Sequence, residues 1–293
     1  MGWLSVVLDT ALKPGLSVQP LTANLQSREN RMKQKRTTRE ILKAQRVIGS
    51  FKYQPKEAEK GYTGEILKVD LSGPSFSIIP VTDEMKDVFV GGRGFDLLMT
   101  WKEVKENTKW DSPENPICIS SGPLGGTTTF PGAGESAVTS ISPATSRVAD
   151  STTGGHFGPL LKFAGFDGLV LVGRREDDLL VVIDGKEGQV SLMESPLLPT
   201  NTHLVTQVLA DMYSESEDDK RHISTVSAGM GADHSWIGCL NFSWWDWRRR
   251  TMRVRQAGRG GIGTVFRRKG LKAVMVKAPR TGPVWSISEP EPC

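Results

Sequence analysis

Brief helices set among short, turn-linked strands predict an α+β fold for this chain. Three stretches carry that expectation. In YTGEILKVDLSG, Ile66, Val69 and Leu71 surround polar residues before Ser72-Gly73 turns the chain, and Phe76 to Val81 returns as the second strand of a hairpin. Leu179 to Asp184, Gly185 to Gly188 and Gln189 to Met193 make a second hairpin that echoes the first, a hint of internal duplication. Between them lies Thr152 to Gly173, TTGGHFGPLLKFAGFDGLVLVG. Its Phe157, Leu160, Leu161 and Ala164 fall at i, i+3, i+4 and i+7, one apolar face of a short helix that Gly165 stops in the C′ manner. Gly168 to Val172 is apolar on both sides of the alternation, as a strand buried on both faces is. Gly154 and Gly155 leave unpaired N–H groups ahead of the helix with no side chain in the way, and such a spot attracts phosphate.

With 293 residues, 38% apolar and 24% charged, the chain is long enough to bury a core as one large domain or two smaller ones. No window approaches the roughly 18 to 20 uninterrupted apolar residues of a membrane span. The opening MGWLSVVLDTALKPGL lacks a basic n-region and carries Asp9 and Lys13 where a signal peptide is uniformly apolar, so a cytoplasmic protein is expected. Cys118, Cys239 and Cys293 are far apart and show no CxxC spacing, which argues against a disulfide framework or a self-contained zinc site. Three cysteines also cannot supply a four-thiolate cluster.

The net charge of +4 is unevenly placed: Arg28 to Arg46 holds eight basic residues against Glu29 and Glu40, a local +6 that leaves the rest near −2. Residues 1–59 therefore read as a basic, poorly ordered extension outside the core, with a helix around Thr38 to Val47. Residues 60–277 form the folded domain and 278–293 a tail. The arm is expected to be a solvated extension, an RNA or membrane-surface contact, or the product of a mis-called start codon; it has no interleaved aromatic residue.

Along the domain, Asp83 to Val90 reads as a helix capped by Thr82 or Asp83 that ends at Gly91-Gly92-Arg93-Gly94. A second helix follows, with Phe95, Leu98 and Met99 on one face. Arg93 is placed either to meet a phosphate or to cap the carbonyls of the preceding helix. Ser112-Pro113-Glu114-Asn115 turns into a buried strand, Pro116 to Ser121. The loop GPLGGTTTFPGAG after it is so poor in side chains that backbone can approach a flat ligand closely, and Ser136 to Ser142 is the next strand. Further on, Asn201 or Thr202 caps a helix whose apolar stripe is Leu204, Val205, Val208, Leu209 and Met212. A solvated acidic loop, Ser214 to Lys220, precedes strands at Ile223 to Ala228 and Trp236 to Phe242. SWWDWRRRTMRVRQ sets three tryptophans beside Arg248, Arg249 and Arg250, either a nucleic-acid platform or an ordinary strand and subunit contact.

Gly258, Gly260 and Gly263 match GxGxxG, but only Thr264 to Gly270 separates this loop from the strand Leu271 to Val276, and no acid stands about 20 residues on, so the context is not a dinucleotide fold. Beside Arg255 and Arg259 the loop is instead an anion cradle of another kind.

Three ordered motifs resemble the tungsten-dependent aldehyde:ferredoxin oxidoreductase family: SPEN followed by SGPLGGT, then TTGGHFGPLLKFAGFDGLVL, then RQAGRGGIGTVFRRKGLKAVMV from Arg255. Together they cover about Lys60 to Lys277, the N-terminal pterin-binding part of such proteins. The resemblance implies a base of two β-sheets on which a tungsten (or molybdenum) bis-pterin rests without a protein ligand to the metal, with magnesium bridging the phosphates. It implies a nearby 4Fe–4S cluster that passes electrons from aldehyde oxidation to ferredoxin or an electron-transfer subunit.

The implied pterin contacts are Arg93, Glu135, Thr152, Thr153, Gly154, Gly155, His156, Arg255, Gln256, Gly258, Arg259, Gly260 and Gly261, with Thr152 and Gln256 the candidate magnesium contacts and the backbone N–H of His156 favoured over its ring. Two positions depart from the family pattern: Glu135 stands where many members have arginine, and Thr152 where some have a magnesium-binding asparagine. Glu135 would repel phosphate unless it points away, binds the magnesium or marks a different pterin geometry.

Family members are expected to be about twice as long, with the cluster ligands and acid/base residues in the later part, so no catalytic residue is assigned here. The expected state is a split subunit or truncated product in a homo- or hetero-oligomer, completed by a C-terminal half or partner subunit. A non-catalytic metal–pterin carrier and a nucleic-acid-binding protein acting through the basic arm are the competing expectations.

Overall fold

The computed structural model describes residues 38–127 and 132–278, so most of the basic arm, part of the 122–134 loop and the tail lie outside the described residues. The chain divides into Met1–Glu40 and Ile41–Cys293, and the sheets belong to the second unit. After a short helix, α1 (38–44), the elements run β1 (Arg46–Lys52), β2 (Glu65–Asp70), β3 (Ser75–Pro80), α2 (Asp83–Phe89), α3 (Arg93–Glu103), β4 (Ile117–Ser120), β5 (Ser136–Ile141), β6 (Val148–Thr153), α4 (Phe157–Phe163) and β7 (Gly168–Val172). They continue with β8 (Leu179–Asp184), β9 (Gln189–Glu194), α5 (Thr202–Tyr213), β10 (Ile223–Ser227), β11 (Leu240–Asp246), β12 (Thr251–Ala257), α6 (Ile262–Arg268) and β13 (Leu271–Lys277).

Two mixed sheets with short helices form an α+β fold. One has the order β3-β2-β7-β4-β5-β6 and the other β1-β9-β8-β13-β10-β11-β12. Apart from β1, the two orders are the same path walked twice: a hairpin, a helical crossing, a three-stranded meander, a short helix, and a last strand returning parallel to the first. The hairpins pair in like register, Glu65 with Pro80 and Leu179 with Glu194 at their ends. The duplication that the hairpins hinted at is thus a feature of the whole topology.

The layers follow from burial. The largest core lies between the sheets and takes in Leu169 and Leu171 from one, Val274 and Val276 from the other, and Phe157, Leu161, Val265 and Phe266 from α4 and α6. These two helices are apolar nearly all round because a sheet covers each side of them. Phe157 meets Phe242 edge-on, with centroids 5.7 Å apart, an arrangement aromatic quadrupoles favour. The outer face of the first sheet is covered by α2 and α3 through Met85, Phe95 and Met99. That of the second is covered by α5 through Val205, Val208 and Leu209.

The expected caps hold: Thr82 Oγ1 accepts from the Met85 amide at 3.2 Å, Asn201 Oδ1 from the His203 and Leu204 amides, and Gly165 ends α4 at a φ of 102°. Four expectations need correction. The segment before Gly61 is not wholly outside the core, since β1 pairs with β9, Ile41 is buried and Tyr53 Oη donates to the Ala164 carbonyl at 2.7 Å. Val148 to Thr153 is a strand that the sequence pattern did not announce, because its polar residues lie at a sheet edge. Leu204 is exposed. Trp236 and Ile237 are also exposed: they form a turn in which the Ile237 amide donates to Ser235 Oγ, and the strand begins only at Leu240.

A fully buried ion pair joins these layers. Lys162 Nζ, at the end of α4, lies 3.0 Å from Asp167 Oδ1 with neither side chain exposed. It also donates to the Gly61 carbonyl at 2.6 Å. Asp167 in turn accepts from the Thr63 and Gly64 amides. Burial pulls the Lys162 pKa down against the pull of Asp167. Lys162→Met is expected to destabilise the fold by about 3–5 kcal/mol in denaturant melts, because an unpaired carboxylate remains; adding Asp167→Asn restores part of the loss.

Lys269, equally buried, donates only to the Pro113 and Gly173 carbonyls, and desolvation brings its pKa to about 7. Two acceptors suit a neutral amine, which has two N–H bonds. The unfolded chain, with a lysine pKa near 10.4, therefore binds more protons than the native state between pH of about 7 and 10. Stability from this group rises with pH across that window by up to about 1.4 kcal/mol per unit. Relative to wild type, Lys269→Met is expected to lose ground steadily above pH of about 7, as thermal melts across that range would show.

Candidate functional site

Strands β6 and β12 each form one edge of their sheet, and each runs into a glycine loop that opens α4 or α6. The register makes these loops counterparts: Thr152 lies opposite Ala137 and Gln256 opposite Asn241, the same step of each meander. The two candidate magnesium contacts are therefore equivalent positions of the duplication.

The loops meet crosswise. A Cβ on Gly154 would lie 3.4 Å from Arg255 Nη1 of the other repeat, and the Arg259 amide donates to Ser151 Oγ at 3.3 Å. Gly260 packs on Ala149, where a Cβ would come within 2.8 Å of that residue's methyl group. Each loop thus rests on the other repeat's edge strand, and each has one arginine beside it, Arg255 reaching across to the first loop and Arg259 lying within the second.

Thr152, His156, Arg255, Gln256, Gly258 and Arg259 are exposed along this rim, and Gly154, Gly155 and Gly260 are half-buried. Thr153 and Gly261 are buried. Gly261 is structural: at a φ of 63°, a side chain there would run into the Trp236 carbonyl. The ring of His156 lies 6.2 Å from that of Trp244, and desolvation lowers its pKa, which favours the neutral form. Gln256 Nε2 donates to Asn241 Oδ1 at 3.3 Å.

Glu135 is exposed and immediately precedes β5, so the register carries it opposite Gly154; among the described residues it has no cation partner. Arg93 does not cap the carbonyls of the preceding helix. Its Nε lies 2.9 Å from Asp150 Oδ2, two residues before Thr152 on β6, and the end of α2 is closed by the Val90 amide donating to the Lys86 carbonyl.

Of SPEN only Asn115 is buried, and it acts as a staple, its Nδ2 donating to the Trp110 carbonyl and its Oδ1 accepting from the Ile141 amide. The tryptophans make no stacking platform: Trp245 packs inward on Ala210 and Met252, Trp244 is half-buried and Trp247 is exposed at the turn. The crosswise contacts, the edge strand β6 and the Asp150 partner had no local sequence signal.

Glycine backbone with open edges and one guanidinium beside each loop fits a flat ligand with two anionic groups. Among the described residues no group of three or more His, Cys, Asp or Glu is placed to hold a metal ion. No described helix is long and apolar enough to cross a membrane.

The architecture defines a class: an internally duplicated two-sheet base with paired glycine loops at its edge strands. The family profile described as aldehyde ferredoxin oxidoreductase, N-terminal domain, matches residues 66–278, and the chain belongs to that family. It is 28% identical over 222 residues to the tungsten-containing aldehyde ferredoxin oxidoreductase of Pyrococcus horikoshii, covering 74% of this chain and 33% of that one. It is 29% identical over 224 residues to the Thermococcus kodakarensis protein of the same description, covering 76% and 34%. An aliphatic sulfonate oxidoreductase, WOR-like subunit, of Pyrococcus furiosus is 26% identical over 241 residues, with 78% and 36% covered. Among solved structures, the active-site complex BamBC of benzoyl coenzyme A reductase matches with a TM-score of 0.64 and 26% identity over 74% of this chain and 31% of that one. The match spans about a third of the length of these relatives.

Gly261→Ala is expected to cost at least about 1–3 kcal/mol through backbone strain alone. Gly258→Ala, with only Cys239 Sγ at 4.0 Å from its Cβ position, is expected to leave stability within about 0.5 kcal/mol of wild type. Paired thermal melts of the two variants check both.

Proposed function

We propose that this chain seats the bis-pterin of a tungsten or molybdenum oxidoreductase, one phosphate at each glycine loop. The crosswise loops carry the proposal: two equivalent backbone cradles, an arginine beside each, and open edges at Thr152 and Gln256. When bound, the metal–pterin supplies two-electron redox chemistry. The loop amides would hold the phosphates, Arg255 and Arg259 would balance their charge, and Thr152 and Gln256 would be the contacts for magnesium. The reaction proposed for the complete protein is oxidation of an aldehyde to a carboxylate, with electrons passing through a 4Fe–4S cluster to ferredoxin. The cluster and the acid/base residues are proposed to lie in the remaining two-thirds of the family architecture, on the same polypeptide or on a partner subunit in the cytoplasm.

Relatives are described as acting on aldehydes and aliphatic sulfonates, and the matched benzoyl coenzyme A reductase structure is in complex with a dienoyl-CoA. Substrate choice is accordingly proposed to belong outside this base. Glu135, exposed at the rim without a cation, favours a second proposal, a carrier that holds metal–pterin without turning over substrate.

Protein purified from its native host, assayed for tungsten, molybdenum, magnesium, iron and pterin with intact mass, tests both proposals. Metal, pterin and iron with a second polypeptide, or with a longer chain, are the expected result. Metal and pterin without iron would support the carrier, and neither metal nor pterin would end both proposals. Arg255→Ala and Arg259→Ala are each expected to lower retained pterin about tenfold or more, as loss of one charge-assisted contact of about 1.5–3 kcal/mol implies.

A further inference from the structure

Beneath the Gly91-Gly92-Arg93 turn, the first turn of α3 buries a carboxyl group. Asp96 is 2% exposed, its Oδ1 lies 2.6 Å from Ser120 Oγ on β4, and its Oδ2 has no hydrogen-bond partner. Ser120 Oγ also lies 2.7 Å from the Gly92 carbonyl. A hydroxyl has one proton and a carbonyl has none. If Asp96 were ionised, Ser120 could satisfy one oxygen only, and the other short contact would set lone pair against lone pair. With a proton on Asp96 Oδ1 both contacts become hydrogen bonds: the carboxylic acid donates to Ser120, and Ser120 donates to Gly92.

The charges around the group agree. Arg93, on the same helix, is turned outward to Asp150 on β6, and the negative charge of Asp150 adds a smaller upward push on the Asp96 carboxyl. On β4 the neighbour is the buried Cys118 thiol, which accepts from Thr100 at 3.5 Å. Burial, the largest cause, pushes the Asp96 pKa well above the usual carboxylate range. The Gly92 carbonyl held this way belongs to a residue at φ 53° and ψ −128°, a conformation reserved for glycine, and the next residue is Arg93.

We propose that Asp96 is a permanently protonated acid that, through Ser120, braces the Gly91-Gly92-Arg93 turn and so positions Arg93 against Asp150 and the edge strand β6. The brace itself does not depend on what the rim binds; its functional sense rests on the proposed pterin seat.

Infrared difference spectra of wild type and Asp96→Asn at pH 7 read the proton directly: one carboxylic-acid C=O band is expected in wild type and absent from the variant. Asparagine keeps the donor to Ser120 and cannot ionise. A raised carboxyl pKa contributes stability that is fully present below the unfolded value of about 4 and is lost as pH rises through the folded value. The unfolding equilibrium constant of wild type relative to Asp96→Asn should therefore grow up to about tenfold per pH unit above pH of about 4. No Asp96→Asn-sensitive acid band, or a gap between the two proteins that stays flat with pH, overturns the protonated acid. Ser120→Ala should speed amide hydrogen exchange across 91–95 about tenfold or more while the β7 amides stay protected, and unchanged exchange overturns the brace. Neither measurement uses the bound cofactor, so failure of the pterin proposal would leave both outcomes readable.

Discussion

Two sheets that must share one core can be joined only by segments whose charged groups are neutralised inside it, and the Lys162–Asp167 pair meets that constraint here. It ties the end of α4 to the start of β7 and to the 61–64 segment that leads into β2. Without it, the chain would have to bring an ionised group into the layer holding Phe157 and Leu161, or leave the 61–64 amides without acceptors. In the second repeat α6 ends on Lys269 instead, which takes two backbone carbonyls and no carboxylate. The duplication conserves the path of the chain but not the way its buried nitrogen is satisfied.

The same asymmetry runs through the site. Ser151 and Arg255 are counterparts by register, as are Asp150 and Val254. One repeat lends a hydroxyl to its neighbour's loop and the other lends a guanidinium. A duplicated base built from identical halves would carry identical loops; here each loop has one cation by a different route. Asp150 is spoken for by Arg93, so the negative charge on β6 is masked next to Thr152. Glu135 has no such partner among the described residues and is the feature that sets this rim apart.

The chain belongs to the aldehyde ferredoxin oxidoreductase family, and its match covers about a third of the length of its relatives. Among the described residues Cys118, on β4, is buried and Cys239, just ahead of β11, is half-buried, and both are free. The seat proposed above would work by holding its ligand still, a task to which glycine backbone and packed helices are suited.

Sequence alone determined what is local. The apolar periodicity of α4 and α5, the all-apolar β7, the two hairpins and the caps at Thr82 and Asn201 follow from backbone preference and burial within a few residues of each other. The glycine loops and their arginines were legible for the same reason, and with the SPEN and SGPLGGT motifs they marked the family. Tertiary structure decided what is remote: that β6 and β12 lie edge to edge, that Arg255 serves the loop about a hundred residues before it, that Arg93 finds Asp150, that β1 joins a sheet, and that Trp236 and Ile237 stay outside. Those pairings depend on which strand edges meet once the core has formed, and no local pattern of residues encodes that choice.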